Sequence, residues 1–182
     1  SCWCTNAALA VAFVGYLDPF FPSLVRQPAA AAVIAIATVW LLTAVNIRGV
    51  YLGCKHAVPI MKRQGGGVII NTASTAAIRP RGGLNIYCAT KGAVIAFTSA
   101  LALELAPFQI RVTAIAPVVT DTPMLPGFMA VPDSPEVRKA LVASVPLGRL
   151  ATPEDIANGA LFLASDEGAM MTGSVLKVDG GR

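Results

Sequence analysis

VIINTAS at residues 68–74, with NIYCATK following at residues 85–91, is the stretch that decides the fold of this chain. The first run is short, apolar and rich in branched residues, which predicts a buried strand. The second run opens an apolar-periodic segment that continues to Ala106 and meets Pro107. This pattern predicts a long helix with Asn85 as its N-cap.

Tyr87 and Lys91 are four residues apart, so they share one face of the predicted helix. A phenol has an ordinary pKa of about 10, and a nearby ammonium group favours the phenolate and lowers that value. A phenol in this setting exchanges a proton near the working pH. Ser74 leaves the end of the preceding strand, and we expect its hydroxyl to hydrogen-bond the same reacting oxygen. Together the three residues indicate a proton-transfer site.

Further elements are predicted on either side of this segment. Strands are expected at residues 110–116 and 172–178, and a helix at residues 46–63 that ends at Gln64 and three glycines. Ser134-Pro135 and Thr152-Pro153 each predict a helix start with an N-cap and a first-turn proline, the second helix running through Ala164. Strands separated by helices favour a parallel sheet with right-handed crossovers, and therefore an α/β domain.

Five segments resemble the short-chain dehydrogenase/reductase family in residues, order and spacing. They are Asn46-Ile47-Arg48-Gly49-Val50, Asn71-Thr72-Ala73-Ser74, Tyr87-Cys88-Ala89-Thr90-Lys91, Pro117-Val118-Val119-Thr120-Asp121-Thr122 and Val178-Asp179-Gly180-Gly181. The resemblance covers residues 39–182, about four fifths of the chain. It implies the C-terminal part of a Rossmann-like parallel sheet with helices on both faces.

The resemblance implies an oxidoreductase that interconverts an alcohol and a carbonyl by hydride transfer, with NAD or NADP as cofactor. In carbonyl reduction, Tyr87 would donate a proton to the carbonyl oxygen as hydride arrives at the carbon. Lys91 would assist Tyr87 and bind the nicotinamide ribose, while Ser74 would polarise the substrate oxygen. Asn46 would help to hold a water molecule in a proton relay. These four are the expected catalytic residues.

The family also implies a set of cofactor-binding residues in this chain, namely Tyr87, Lys91, Pro117, Val119 and Thr122. The turn at residues 117–122 would meet the nicotinamide carboxamide through the backbone near Val119 and through the Thr122 hydroxyl. The family usually has Gly where this chain has Val118. A side chain there is expected to crowd the backbone approach that Gly permits.

Residues 1–38 are an apolar N-terminal segment that the resemblance leaves unassigned. The family's first strand normally runs into Thr-Gly-x-x-x-Gly-x-Gly, whose backbone N–H groups hold the cofactor pyrophosphate. Residues 1–45 contain no match to this motif. The chain is therefore expected to be N-terminally truncated relative to the family, with residues 1–38 being unrelated or frame-shifted sequence. The residue that selects NAD or NADP would follow a strand that is absent here, so both cofactors stay open.

Composition excludes several other classes of protein. A chain of 182 residues fits one domain with a sizeable core, and a net charge of +4 without a dense Lys/Arg run argues against nucleic-acid binding. The four cysteines form no Cys-x-x-Cys pair and His56 is the only histidine, so no metal site is expected. Scattered cysteines suit a reducing compartment, and a cytoplasmic location is expected.

Two other functional hypotheses stay open. One is a catalytically silent fragment that keeps the proton-transfer residues but cannot hold the dinucleotide, while its oligomerisation surfaces survive. The other is membrane attachment through the almost entirely apolar residues 28–45, whose length is close to the ~20 residues that span a bilayer. A buried strand or helix is the alternative for that segment. The expected partners are a small-molecule substrate and further copies of the chain, as a dimer or tetramer, with neither nucleic acid nor membrane.

Several local features surround the predicted site. Arg79 and Arg81 flank Pro80 at the expected substrate mouth, where they would favour an anionic substrate unless they are simply solvated. Residues 125–133 contain Pro, Met and Phe and are predicted to form a mobile substrate lid. Pro59 predicts a kink or an early end of its helix. Cys88, beside Tyr87, is predicted to be a small buried thiol.

Overall fold

The computed structural model describes residues 43–125 and 134–182, together with the isolated positions Val33, Ala37 and Trp40. Within these residues three parallel strands form one sheet in the order β1 (Gly67–Thr72), β2 (Ile110–Pro117) and β3 (Val175–Val178). All three predicted strands are therefore present.

The helices lie between the strands in sequence. A π-helical segment, Ala44–Arg48, continues directly into α1 (Gly49–Gln64). The short α2 (Thr75–Ile78) and the long α3 (Asn85–Leu105) connect β1 to β2. Helices α4 (Pro135–Ala143) and α5 (Pro153–Ala164) lie between β2 and β3, and 3-10 turns occupy Ala106–Phe108 and Asp166–Gly168.

The sheet is covered on both faces, as predicted. Val112 of β2 packs with residues of α1 and α3, including Cys54 and Leu105. Ile115, which points to the opposite face because side chains alternate along a strand, meets α5. The packing there is close, since a Cβ added at Gly159 would lie 3.2 Å from Ile115 Cδ1. The α/β class with helices on both faces of a parallel sheet is confirmed.

The starts of α4 and α5 follow the predicted caps. Ser134 Oγ accepts a hydrogen bond from the Val137 N–H over 3.3 Å. Thr152 Oγ1 accepts one from the Asp155 N–H, and the Asp155 carboxylate accepts one from the Thr152 N–H. This reciprocal capping box satisfies two N–H groups that a helix start would otherwise leave unpaired.

The start of α3 differs from the prediction that Asn85 is its N-cap. Leu84 is the N-cap and Asn85 is the first helical residue. The Leu84 N–H donates to the Arg81 carbonyl, and the Leu84 carbonyl accepts the first helical bond from the Cys88 N–H over 2.7 Å. A turn closed by the Arg81 carbonyl therefore leads directly into the helix.

Two further boundaries also differ in detail. Helix α1 continues past Pro59 to Gln64 and ends there because Gly65 adopts a left-handed φ of 81°. Pro59 was predicted to cause a kink or an early end of this helix, and the early end is wrong. Strand β3 begins at Val175 rather than at residue 172, since Gly173 has a left-handed φ of 69° that regular strand geometry does not contain.

In the described part of the chain, Asn85–Phe108 is long and apolar enough to cross a membrane by length and composition. Val94, Thr98 and Ala102 on this helix are at most 2% exposed, which is ordinary for a helix packed on a sheet. The segment at residues 28–45 lies almost entirely outside the described residues. The predicted lid lies outside them as well, apart from the buried Leu125.

Candidate active site

Ser74, Lys91 and the turn at residues 117–122 lie where β1 and β2 end. Thr72 is the last residue of β1 and Pro117 the last of β2, and the two strands are parallel neighbours. The Ala73 N–H extends the pairing by donating to the Ile115 carbonyl over 2.8 Å. The segments that follow each strand therefore leave the same edge of the sheet, which is where open α/β sheets bind ligands.

Ser74 is fixed by the start of α2. It is the N-cap residue, 9% exposed, and its Oγ accepts a hydrogen bond from the Ala76 N–H over 3.2 Å. A hydroxyl carries one donor in addition to its acceptor lone pairs. Because the cap uses Ser74 as an acceptor, its O–H can donate to a substrate oxygen without breaking the cap.

Thr75 ties this segment to the neighbouring strand. Its Oγ1 donates a hydrogen bond to the Pro117 carbonyl oxygen over 3.1 Å, across 42 positions of sequence. Sequence reasoning missed this residue, because a threonine at a helix start carries no signal about a partner so far along the chain. The bond couples the predicted polarising serine to the predicted cofactor turn.

Lys91 reaches back from α3 to the end of β1. Its Nζ donates a hydrogen bond to the Thr72 carbonyl oxygen over 2.9 Å and lies 5.9 Å from the centroid of the Tyr87 ring. That second distance is near the outer limit for a cation–π contact. Burial lowers the pKa of the Lys91 ammonium from its ordinary value. The structure thus brings Lys91 beside Tyr87 and onto the strand that leads to Ser74.

Asn46 lies within the π-helical segment before α1, where a regular helix was predicted. The Gly49 N–H contacts the carbonyl oxygens of both Ala44 and Val45, and Asn46 itself is half-buried. Such wide turns often occur at functional sites. The hydrogen bonds that hold Lys91 and Ser74 do not include Asn46, so its relay role stays a prediction.

The turn after β2 packs through Val118 into an apolar cluster. Val118 is 6% exposed and packs with Val145, Ala151 and Ile156. The Val118 N–H donates to the Val178 carbonyl over 3.1 Å. The Val118 side chain is accommodated in this core, and the expected crowding of the cofactor stays a prediction.

Backbone hydrogen bonds to Ala151 also hold this turn. The Val119 carbonyl accepts from the Ala151 N–H over 3.3 Å, and the Asp121 N–H donates to the Ala151 carbonyl over 2.8 Å. Thr122 is half-buried, and its carbonyl accepts from the Leu125 N–H. Pro117, Val119 and Thr122 therefore belong to one braced turn at the edge where Ser74 and Lys91 lie.

Three other residues near the predicted site differ in how far they are buried. Cys88 is 8% exposed, which confirms a buried thiol. Arg79 is exposed, whereas Arg81 is half-buried and its burial lowers the guanidinium pKa. Across residues 43–125 and 134–182 there is no group of three or more His, Cys, Asp or Glu side chains arranged to hold a metal ion.

Comparison with protein families gives a match over most of the chain. Residues 10–182 match the family model described as Enoyl-(Acyl carrier protein) reductase. The match begins inside the segment that sequence reasoning left unassigned. The boundary expected near residue 38 stays a prediction, since it falls outside the continuously described residues.

Curated relatives include dehydrogenases of several substrates. The chain is 43% identical over 138 residues to 4-formylbenzenesulfonate dehydrogenase of Comamonas testosteroni, covering 76% of this chain and 55% of the relative. It is 47% identical over 135 residues to 3alpha-hydroxysteroid dehydrogenase of Mediterraneibacter gnavus, covering 74% and 52%. The chain thus spans about half the length of the curated relatives it matches.

Solved structures that are similar to this chain also include a reductase and a dehydrogenase. A 3-ketoacyl-(acyl-carrier-protein) reductase from Brucella melitensis complexed with NADH superposes with a TM-score of 0.70 at 48% identity, covering 76% of this chain and 55% of that one. An NAD+-bound xylitol dehydrogenase superposes with a TM-score of 0.69 at 32% identity, covering 76% and 58%.

Proposed function

Because the chain belongs to the short-chain dehydrogenase/reductase family, we propose that it acts as an oxidoreductase that interconverts an alcohol and a carbonyl with NAD or NADP. The relatives named above are dehydrogenases and a reductase, and the similar structures were solved with NADH and NAD+. The substrate proposed for this chain is a small alcohol or carbonyl compound. The chain is further proposed to be cytoplasmic and to form a homo-oligomer.

One observation supports this proposal more than any other, namely the 2.9 Å hydrogen bond from Lys91 Nζ to the Thr72 carbonyl. It holds the ammonium of the half-buried Lys91 beside Tyr87 and at the strand end that leads to Ser74. The bond thus places a positive charge next to the hydroxyl-bearing ring that is proposed to donate the proton. The end of β1 also leads to Ser74, whose hydroxyl can donate a hydrogen bond. Such a donor stabilises a carbonyl oxygen that is gaining a proton.

The proposed roles follow from this arrangement. Tyr87 gives a proton to the carbonyl oxygen during reduction and removes one from the alcohol during oxidation. Ser74 donates its O–H to the same oxygen, and its N-cap bond to Ala76 keeps the hydroxyl oriented. Lys91 supplies the positive charge next to Tyr87, and Asn46 would support the proton relay. Bound nicotinamide supplies or accepts the hydride.

The described residues fit the nicotinamide end of the cofactor. Lys91 offers a cation for ribose hydroxyls, and the braced turn with Pro117, Val119 and Thr122 lies at the same edge of the sheet. Because the Val118 side chain is buried, the cofactor would contact the backbone of that turn. The sequence has no glycine-rich motif for the pyrophosphate, so affinity of this chain for the whole dinucleotide is the point that an experiment must test.

The test is a titration of the 182-residue chain with NADH and NADPH, followed by thermal unfolding and nicotinamide fluorescence. A ligand that binds only the folded state stabilises it by about 2.7 kcal/mol at 100 times its Kd. We expect a clear rise in Tm with at least one cofactor and oxidation of that cofactor when a carbonyl substrate is added. No stabilisation by millimolar NADH or NADPH would instead favour the silent fragment.

A further inference from the structure

Another contact joins β1 to α3, and the proposed reaction does not use it. Asn71, next to Thr72 in β1, donates a hydrogen bond from Nδ2 to Thr98 Oγ1 over 3.0 Å. Asn71 is 7% exposed and Thr98 is fully buried. Buried polar groups cost free energy when they lose their partners, so this pair strongly resists separation.

Cys54 on α1 holds the other end of the same amide. Its Sγ lies 3.8 Å from Asn71 Oδ1. Burial raises the pKa of the Cys54 thiol, so the thiol stays protonated and acts as a weak donor to the amide oxygen. The Asn71 side chain is thus held through its nitrogen by α3 and through its oxygen by α1.

The Asn71–Thr98 and Lys91–Thr72 contacts join α3 to β1 at two separate points along the helix. Thr98 follows Lys91 by seven residues, which places both on one face and about 10 Å apart along the helix. Their partners, Asn71 and Thr72, are consecutive residues of β1. Two polar contacts at separate points along a helix constrain its rotation on a strand more than one contact does.

The two contacts are unequal in stiffness. Lys91 reaches Thr72 through a flexible four-carbon stem, which can follow a helix that rotates. Asn71 and Thr98 are short side chains in a fully packed interior, so their hydrogen bond breaks if the helix turns. Within the apolar packing of α3 on the sheet, the short pair therefore constrains the orientation of the helix face that carries Tyr87 more tightly than the Lys91 contact does.

We propose that Asn71 and Thr98 are positioning residues that set the rotation of α3 and so aim Tyr87 and Lys91 at the oxygen held by Ser74. This inference rests on the proposed function, because it concerns the geometry of that same site. Thr98 is three turns from Tyr87 and does not touch the reacting atoms. It acts through the helix, and a displacement of about 1 Å at a reacting group lowers a rate by about 100-fold.

The experiment compares Thr98→Val with Thr98→Ser in the full chain. Valine keeps the volume but removes the acceptor from Asn71, whereas serine keeps the hydroxyl. Ser99→Ala is the matched control, because the neighbouring Ser99 hydroxyl bonds instead to the Ile95 and Gly173 carbonyls. The readouts are kcat and KM, and the NMR titration of ε-¹³C-labelled lysines, with the Lys91 signal assigned by Lys91→Arg.

Thr98→Val should lower kcat by about 10- to 100-fold with little change in KM. It should also move the Lys91 pKa toward its ordinary value, while Thr98→Ser and Ser99→Ala leave both close to the parent. Should Thr98→Val fail to fold, Cys54→Ala loosens the same amide and should change both readouts in the same direction by less.

A Thr98→Val protein that unfolds more easily but keeps the parent's kcat and Lys91 titration overturns the positioning role. The two proposals fail separately. If the parent chain reduces no carbonyl, the proposed function fails, and the Lys91 titration alone then decides whether the Asn71–Thr98 pair positions the helix.

Discussion

The Lys91 ammonium and the Thr72 carbonyl oxygen are joined by a 2.9 Å hydrogen bond, although the two residues are 19 positions apart in sequence. The bond draws a lysine side chain off the surface of α3 and onto the end of β1. Burial there lowers the Lys91 pKa, since removing an ammonium from water disfavours its charged form.

This burial predicts a pH dependence of stability at alkaline pH. As pH rises through the lowered pKa toward the ordinary value of 10.5, the unfolded chain binds more protons at Lys91 than the folded chain. The free energy of unfolding should therefore gain an increment with pH in that window. Urea unfolding across this range should show that Lys91→Met lacks the increment, whereas Lys55→Met, which removes an exposed lysine from α1, retains it.

Removal of the Tyr87 hydroxyl should abolish most of the turnover. General acid–base catalysis contributes about 10²- to 10⁴-fold to a rate, so Tyr87→Phe should lower the single-turnover rate by at least about 100-fold. NADH affinity should change little. Tyr51→Phe is the control, because it removes a hydroxyl from α1 while keeping the ring that packs against Phe97. Retained turnover in Tyr87→Phe would refute the assignment.

Ser74 has two separable roles. Ser74→Ala should lower turnover and also remove the cap of α2, at a cost of about 1 kcal/mol or less in the free energy of unfolding. Ser74→Asp keeps an acceptor for the Ala76 N–H but offers no donor to a substrate oxygen when ionised. It should restore the stability measured by urea unfolding without restoring turnover. Full turnover in Ser74→Asp would mean that only the cap matters.

Arg111 of β2 is predicted to stabilise the end of α5. Its Nη1 donates to the Leu163 carbonyl over 2.7 Å, and its Nη2 donates to the Ser165 carbonyl over 3.1 Å. Hydrogen bonds from charged groups contribute more than neutral ones, so Arg111→Met should lower the free energy of unfolding by about 2 kcal/mol. Arg63→Met, at an exposed position of α1, should change it by less than about 0.5 kcal/mol. Equal effects of the two changes would exclude a special role for Arg111.

The capping box of α5 predicts an effect at acid pH. The hydrogen bonds from Arg149 and from the Thr152 N–H hold the Asp155 pKa well below its ordinary value of 3.8. A lowered folded-state pKa stabilises the protein above the unfolded value, and this stabilisation is lost as pH falls through the folded value. The Tm difference between the parent and Asp155→Asn should thus be largest near neutral pH and should shrink below 3.8. A difference that does not vary with pH would contradict this account.

Local signals were predictable where the chemistry is local. Ser134 and Thr152 cap their helices as predicted, because an N-cap oxygen bonds to N–H groups only two or three residues away. The predicted N-cap of α3, Asn85, lies one residue after the observed N-cap, Leu84. Leu84 is the cap, and a turn closed by the Arg81 carbonyl precedes it, which the preference of Asn for N-caps does not reveal.

The expected crowding at Val118 illustrates a second limit. The sequence shows that a branched side chain stands where the family usually has Gly, but not which way that side chain points. In the fold it packs with Val145 and Ala151, which come from a later part of the chain. The roles of the individual site residues, Asn46 above all, likewise stay predictions because they depend on groups that meet only in the assembled site.

Sequence alone determined the α/β class, the three strands, the caps of α4 and α5 and the shared helix face of Tyr87 and Lys91, because each follows from periodicity or from contacts between near neighbours. Tertiary structure decided the contacts between Lys91 and Thr72, between Asn71 and Thr98, and between Thr75 and Pro117. These pairs are 19 to 42 positions apart, and they meet only once β1 pairs with β2 in parallel and α3 packs across the two strands. Side-chain partners at such separations are set by strand register and helix rotation, which no short stretch of sequence encodes.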